Sequence, residues 1–138
     1  MITSIKNPEV KFLRSLKRKK YREREKMFVL EGIRIIEDAL ADLNKAIELN
    51  PDEASLYMNR GIVRYQLDDL KGTMKDFNEF IEMNPRNAMA YNNRGILRAE
   101  IGDLDGAIDD LSRVLALRGE DLPTLYYRGM LYKEKGEF

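Results

Sequence analysis

Residues 54–87 read ASLYMNRGIVRYQLDDLKGTMKDFNEFIEMNPRN, and residues 88–121 read AMAYNNRGILRAEIGDLDGAIDDLSRVLALRGED. Laid one under the other, they are two copies of a single 34-residue unit. Tyr57, Gly61, Leu70, Phe77 and Pro85 of the first fall over Tyr91, Gly95, Leu104, Leu111 and Gly119 of the second. A further step of 34 reaches Leu125, Gly129 and Phe138, and a step back from the second half of the unit reaches Ala39, Leu43, Ala46 and Pro51. Agreement in four registers marks a repeat array, in which each unit buries its apolar face against its neighbours.

Each unit predicts a helical hairpin. First helices are expected at about Ala54–Leu67, Ala88–Ile101 and Leu122–Lys135, and second helices at about Leu70–Met83 and Leu104–Leu117. Asp68-Asp69 and Gly102-Asp103 supply turn and capping chemistry between them. Asn84-Pro85 and Arg118-Gly119 end the second helices. Glu37–Leu49, with Ala39, Leu40, Leu43, Ala46 and Ile47 at helical spacing, predicts one more second helix that opens the array. The domain reading is therefore an arm over 1–36, the second helix of an incomplete repeat over 37–51, repeats over 54–87 and 88–121, and an incomplete repeat over 122–138.

The pattern resembles the tetratricopeptide repeat over about residues 37–138. Tyr57, Tyr91, Gly61, Gly95, Gly129, Ala39, Ala46, Ala107, Pro51 and Pro85 carry the resemblance. It implies an all-α, right-handed solenoid of antiparallel helix pairs, with a concave groove that holds peptides or protein segments. Thr73, Phe80 and Val114 stand where the family packs alanine, so the helices there must splay or repack. Gly72 and Gly106 fall early in second helices, where each costs about 1 kcal/mol relative to alanine.

Composition excludes several classes of chemistry. Of 138 residues, 43% are apolar and 35% charged, a balance suited to a solvated helical protein. With no cysteine and no histidine, the chain has no disulfide, no thiolate nucleophile, no imidazole acid–base group and no zinc site of the usual kind. No other cofactor is expected. No strictly apolar run is longer than Met27–Leu30, too short for a membrane span or a secretory signal, and a cytoplasmic location without membrane contact is expected. Asp103-Leu104-Asp105-Gly106 resembles the start of a calcium loop, but the later ligand positions are missing.

A net charge of zero conceals an asymmetry, since residues 1–40 hold 11 Lys and Arg against 6 Asp and Glu. The arm contains Thr3-Ser4, Asn7-Pro8, Val10-Lys11, Leu13, Leu16, Lys19-Lys20, Arg22, Phe28–Gly32, Arg34 and Ala39-Leu40. These residues resemble the opening of SpoU-type RNA ribose methyltransferases. There the segment begins a small RNA-binding domain, followed by a knotted catalytic domain that binds S-adenosylmethionine. The catalytic domain has no counterpart here, and the echo of its Asn/Gly/Arg motif in residues 84–103 is explained by the 34-residue register. The arm itself predicts a basic amphipathic helix from about Pro8, with Met27–Leu30 as helix or packed coil. It is expected to replace the first helix of the opening repeat and to cap Leu40, Leu43 and Ile47.

Candidate sites follow from the register. Met58, Asn59, Ile62, Tyr65, Met89, Asn92, Asn93, Ile96, Tyr126, Tyr127 and Met130 are expected to face the groove. There asparagine offers donor and acceptor to a peptide backbone, and Tyr and Met offer apolar contact. The carboxylate clamp of chaperone-binding relatives is not expected, because Ser55, Met89, Pro123 and Tyr127 occupy its basic positions. Arg60, Arg94 and Arg128, with Arg64 and Arg98, recur in step with Asp42, Asp76 and Asp110. They predict an ion-pair ladder between helices rather than a phosphate stripe. Lys17, Arg18, Lys19, Lys20, Arg22 and Arg24 are the candidate RNA contacts. Tyr126, Met130 and Tyr132 predict self-association through the last repeat.

The sequence thus points to a non-catalytic scaffold that binds a protein or peptide of unspecified identity. The alternatives are an RNA-binding adaptor that uses the arm, and a recombined, engineered, generated or mispredicted chain with no evolved partner.

Overall fold

The computed structural model describes residues 8–136, with side chains from Lys17 onward. Its elements are all α-helices: α1 (Pro8–Leu49), α2 (Ala54–Gln66), α3 (Leu70–Met83), α4 (Ala88–Glu100), α5 (Leu104–Arg118) and α6 (Leu122–Lys135). The helix bounds expected from Ala54 onward agree with α2 to α6 to within one residue at each end, and the helix expected over Glu37–Leu49 is the last part of the longer α1. Thr3-Ser4, Asn7 and the final Phe138 lie outside the described residues.

The chain divides into two units, one up to Asp38 and one from Ala39. In the first, Met27, Phe28, Val29 and Leu30 are helical and exposed. Among the described residues, this stretch has one ion pair, the exposed Arg34–Glu31 contact at 2.8 Å, of a kind that adds little stability. α1 runs without a turn from Pro8 to Leu49, so the basic helix expected from about Pro8 and the helix expected over Glu37–Leu49 are one continuous helix. After Pro8 its sequence offers no further proline, and Gly32 stays helical, so nothing ends the helix before Asn50.

In the second unit, α2 packs on α3, α4 on α5, and α5 on α6, with α3 against α4 joining the repeats. Capping fixes where these helices begin. Asp69, Asn87, Asp103 and Asp121 accept from the backbone N–H groups of Gly72, Ala90, Gly106 and Thr124 at 3.0–3.1 Å. The tight turns need a left-handed residue, supplied by Gly102 in one repeat and by Asp68, at φ 61°, in the other.

Repeat geometry is reproduced atom for atom. Tyr57 donates to the Pro51 carbonyl and Tyr91 to the Pro85 carbonyl, at 2.8 and 2.9 Å. Gly61 lets α3 approach so closely that a methyl there would strike the Phe77 ring at 2.7 Å. Phe77, Phe80, Ile81, Ala88, Ala90, Tyr91, Leu97 and Val114 form one core, and Ala107, Ile108, Leu111 and Leu131 a second. Thr73, Phe80 and Val114 are all buried, so the departures from alanine are met by repacking. The Thr73 hydroxyl donates to the Asp69 carbonyl at 2.8 Å, and Phe80 shares its cluster with the small Ala88 and Ala90.

Candidate interaction face

Two faces of the first helices carry the chemistry. On one, Arg60 grips Asp76 through Nε and Nη2 at 3.0 and 2.7 Å, and Arg64 adds Nη1 at 2.9 Å. One repeat on, Arg94 grips Asp110 at 2.9 and 2.7 Å, and Arg98 adds a contact at 3.0 Å. Asp76 and Asp110 are buried, and planar guanidinium suits such two-oxygen contacts. The Asp76 hydrogen bonds also hold the Arg60 guanidinium above its ordinary range. Each arginine further lies over a repeat tyrosine, with 5.6 Å from Arg60 to the Tyr57 ring and from Arg94 to the Tyr91 ring.

The expected ladder is therefore present at Asp76 and Asp110. It is not present at Asp42, which is exposed and makes no ion pair among the described residues. A third member of each rung was not evident from charge alone. Arg60, Arg94 and Arg128 each donate Nη1 to an oxygen sixteen residues earlier, on Asn44, Asn78 and Ser112, at 3.1, 3.0 and 3.0 Å. The signal was available as a 34-residue spacing of short polar side chains.

The other face bears the candidate groove. Ile62, Ile96 and Met130 occupy one register position and stay 42%, 37% and 48% exposed, which sets a row of apolar side chains toward solvent. Between α2 and α4 lies an open recess of about 290 Å³ lined by Ile62, Tyr65, Phe77, Asn93, Ile96 and Leu97. A second recess, of about 550 Å³, lies against α4 and α6, where Glu100, Tyr126, Tyr127, Met130 and Glu134 line it. Met89 and Asn59 are exposed, and Asn92 is half-buried.

Met58 departs from expectation. It is buried in the core beside Phe77, and its sulfur accepts from the Asn93 amide at 3.7 Å. Its long unbranched side chain lies in the core instead of on the open face.

The second recess carries two carboxylates, Glu100 and Glu134, against one cation, Lys133, which residue types at the expected positions did not disclose. Tyr65 donates its hydroxyl to Glu100 at 2.6 Å, tying one repeat to the next. That hydrogen bond raises the Tyr65 phenol above its ordinary value. Burial, then the charges of Glu100 and Glu134, raise the Tyr127 phenol. No group of residues suited to a metal ion occurs among the described residues. Asp103 serves as a helix cap and Asp105 pairs with Lys135 at 2.6 Å, so neither behaves as part of a calcium loop.

On the arm, Lys17, Arg18, Lys19, Lys20, Arg22 and Arg24 are all exposed. Lys17, Arg18, Lys20 and Arg24 surround Tyr21 in a shallow open groove. Among the described residues, no helix is long and apolar enough to cross a membrane.

Comparison with known proteins agrees with both halves of this description. Residues 34–92 and 77–109 match tetratricopeptide-repeat families, and residues 7–56 match the MRM3-like substrate binding domain. No curated protein matches the chain. Among solved structures, MamA is similar at a TM-score of 0.68 and 22% identity, over 74% of this chain and 60% of that one. The present chain thus spans less than two thirds of MamA. The first TPR of Spaghetti (RPAP3), bound to the HSP90 peptide SRMEEVD, is similar at a TM-score of 0.67 and 21% identity, over 88% and 89% of the two chains. The Arabidopsis OM64 TPR domain is similar at 0.65 and 23%, over 73% and 84%. The body of this protein is an all-α tetratricopeptide-repeat solenoid, preceded by a segment like the start of an RNA methyltransferase substrate-binding domain.

Proposed function

We propose that the chain is a non-catalytic protein-interaction scaffold that holds a peptide or protein segment along α2, α4 and α6. The observation that carries this reading is the in-register row Ile62, Ile96 and Met130, exposed beside two recesses that Asn93 and Tyr127 also line. The similar TPR of Spaghetti holds an HSP90 peptide, which supports the use of such a fold for peptides. The ligand here differs in charge. Glu100 and Glu134 outnumber Lys133 around the second recess, and residues 55, 89, 123 and 127 supply no cation. The groove therefore favours an apolar segment bearing Lys or Arg over an acidic carboxyl-terminal tail.

Selection of random peptides on the immobilised chain tests this. Apolar, basic peptides should be enriched, and Ile96→Asp, Asn59→Ala and Asn93→Ala should each weaken them while helicity is kept. Enrichment of acidic tails, or binders indifferent to all three changes, would overturn the reading.

A second reading rests on the six exposed cations between Lys17 and Arg24 together with the match of residues 7–56 to a substrate binding domain. In it, the arm holds RNA through phosphate contacts. Affinity for a structured RNA should then fall steeply with salt, and Lys19→Glu with Lys20→Glu should flatten that dependence. Salt-insensitive binding, or none, removes this reading.

A further inference from the structure

The recess between α2 and α4 lies wholly within the second unit of the chain. Ile62 and Tyr65 of α2, Phe77 of α3, and Asn93, Ile96 and Leu97 of α4 line it, and none of these residues is charged. Its volume of about 290 Å³ leaves room for a large apolar side chain.

Charge begins at the rim. Tyr65 lines the recess, and its hydroxyl donates to both oxygens of Glu100, at 2.6 and 2.9 Å. Glu100 is exposed and forms no ion pair among the described residues. Lys133, which lines the second recess together with Glu100, is not paired with it. The charges of Glu100 and Asp68 both act on the Tyr65 phenol, so two carboxylates stand near this corner of the groove. The face is therefore apolar at Ile62 and Ile96 and negative one turn further along α4. Ile96 and Glu100 are four residues apart, so they share a helix face with about 6 Å between them along the axis. In an extended chain, alternate side chains point the same way and stand about 6–7 Å apart. The two spacings match.

Resting on the reading of this groove as a peptide site, we propose that Glu100 sets its specificity. The occupant is an extended segment with an apolar residue and, two positions away, a lysine or arginine. The apolar side chain enters between Ile62 and Ile96, and the cation meets the Glu100 carboxylate. Tyr65 is a positioning residue: its hydroxyl holds that carboxylate at the rim and leaves its remaining acceptor capacity to the ligand.

Selection of random peptides on the immobilised wild-type chain, on Ile96→Asp and on Glu100→Lys tests the two levels separately. On the wild type, enriched peptides should share an apolar residue with Lys or Arg two positions away. On Glu100→Lys the apolar residue should persist, and Asp or Glu should replace the basic one. Glu100 is exposed, so its variants should keep the helicity of the wild type, which circular dichroism checks. Fluorescence anisotropy with one fluorescein-labelled peptide enriched on the wild type then gives magnitudes. Glu100→Gln should weaken its binding by about tenfold. Added salt should weaken binding more strongly in the wild type than in that variant. Tyr65→Phe should weaken the same peptide by about threefold, yet leave unchanged a peptide whose basic residue is replaced with glutamine. A general loosening of the fold would weaken both peptides alike.

If no peptide is enriched on the wild type, or Ile96→Asp enriches the same ones, the groove reading falls and this assignment with it. Apolar, basic peptides without a fixed spacing, or the same basic peptides on Glu100→Lys, overturn the assignment of Glu100 alone and leave the groove standing. Undiminished binding to Glu100→Gln does the same.

Discussion

Asp76→Asn is the sharpest test of what holds the solenoid together. The carboxylate is 1% exposed and accepts three hydrogen bonds, from Arg60 Nε and Nη2 and from Arg64 Nη1. Asparagine keeps the shape but removes the charge, and its amide presents N–H groups to guanidinium N–H groups. Removing one partner of a buried ion pair costs about 3–5 kcal/mol. The arginines retain 14% and 20% of their side-chain exposure, so water recovers part of that cost, and about 2–4 kcal/mol remains. Urea unfolding followed by circular dichroism at 222 nm reads this directly. With a slope of about 1–3 kcal/mol per molar, the midpoint should fall by about 1–2 M. Asp42→Asn is the internal control. That side chain is exposed and unpaired among the described residues, so the change should stay within about 0.5 kcal/mol. If Asp76→Asn and Asp42→Asn behave alike, the arginines do not form a structural ladder, and a ligand-binding stripe becomes the better account of them.

Three further outcomes follow from local geometry. Asp68→Gly should stabilise the chain by about 0.5–1 kcal/mol in the same denaturation assay, because Asp68 sits at φ 61° where its repeat counterpart is Gly102. Gly72→Ala should destabilise by about 1–2 kcal/mol despite its better helix propensity, because the added methyl collides with the Asp69 carboxylate and with Cδ of Arg64; a gain in stability would sink that argument. Tyr65 contributes a pH dependence. Its phenol is raised above the ordinary 10.0 by the hydrogen bond to Glu100. Stability from a raised group is complete below the unfolded value and is lost as pH rises through the folded one, so Tyr65→Phe should lessen the alkaline loss. Difference absorbance at 295 nm between wild type and variant should show one phenol titrating above the ordinary range.

Helix bounds and the two arginine rungs were legible because both are local and periodic. Turn residues at 68–69 and 102–103 punctuate the helices, and charge recurs every 34 positions. What escaped depended on direction and reach. Met58 and Asn59 are neighbours on one helix, yet one enters the core and the other faces solvent, and a flexible thioether can follow a gap that no periodicity announces. The glycines at 72 and 106 read as a cost in helix propensity. Their reason emerges only when the N-cap aspartate and the ladder arginine are seen to occupy the space a side chain would need. The link between Tyr65 and Glu100 was similarly hidden, since Glu100 lies 35 residues from the tyrosine it accepts from, one position off the repeat.

The two faces of the first helices are mechanically linked. Successive helical residues point about 100° apart. Asn59 and Arg60, Asn93 and Arg94, and Tyr127 and Arg128 therefore divide between groove and ladder. Two arginines one turn apart fix the rotation of α2 and of α4, and with it the aim of Ile62, Asn93 and Ile96. α6 has Arg128 alone, held by Ser112, so Tyr126, Tyr127 and Met130 form the less constrained end of the groove.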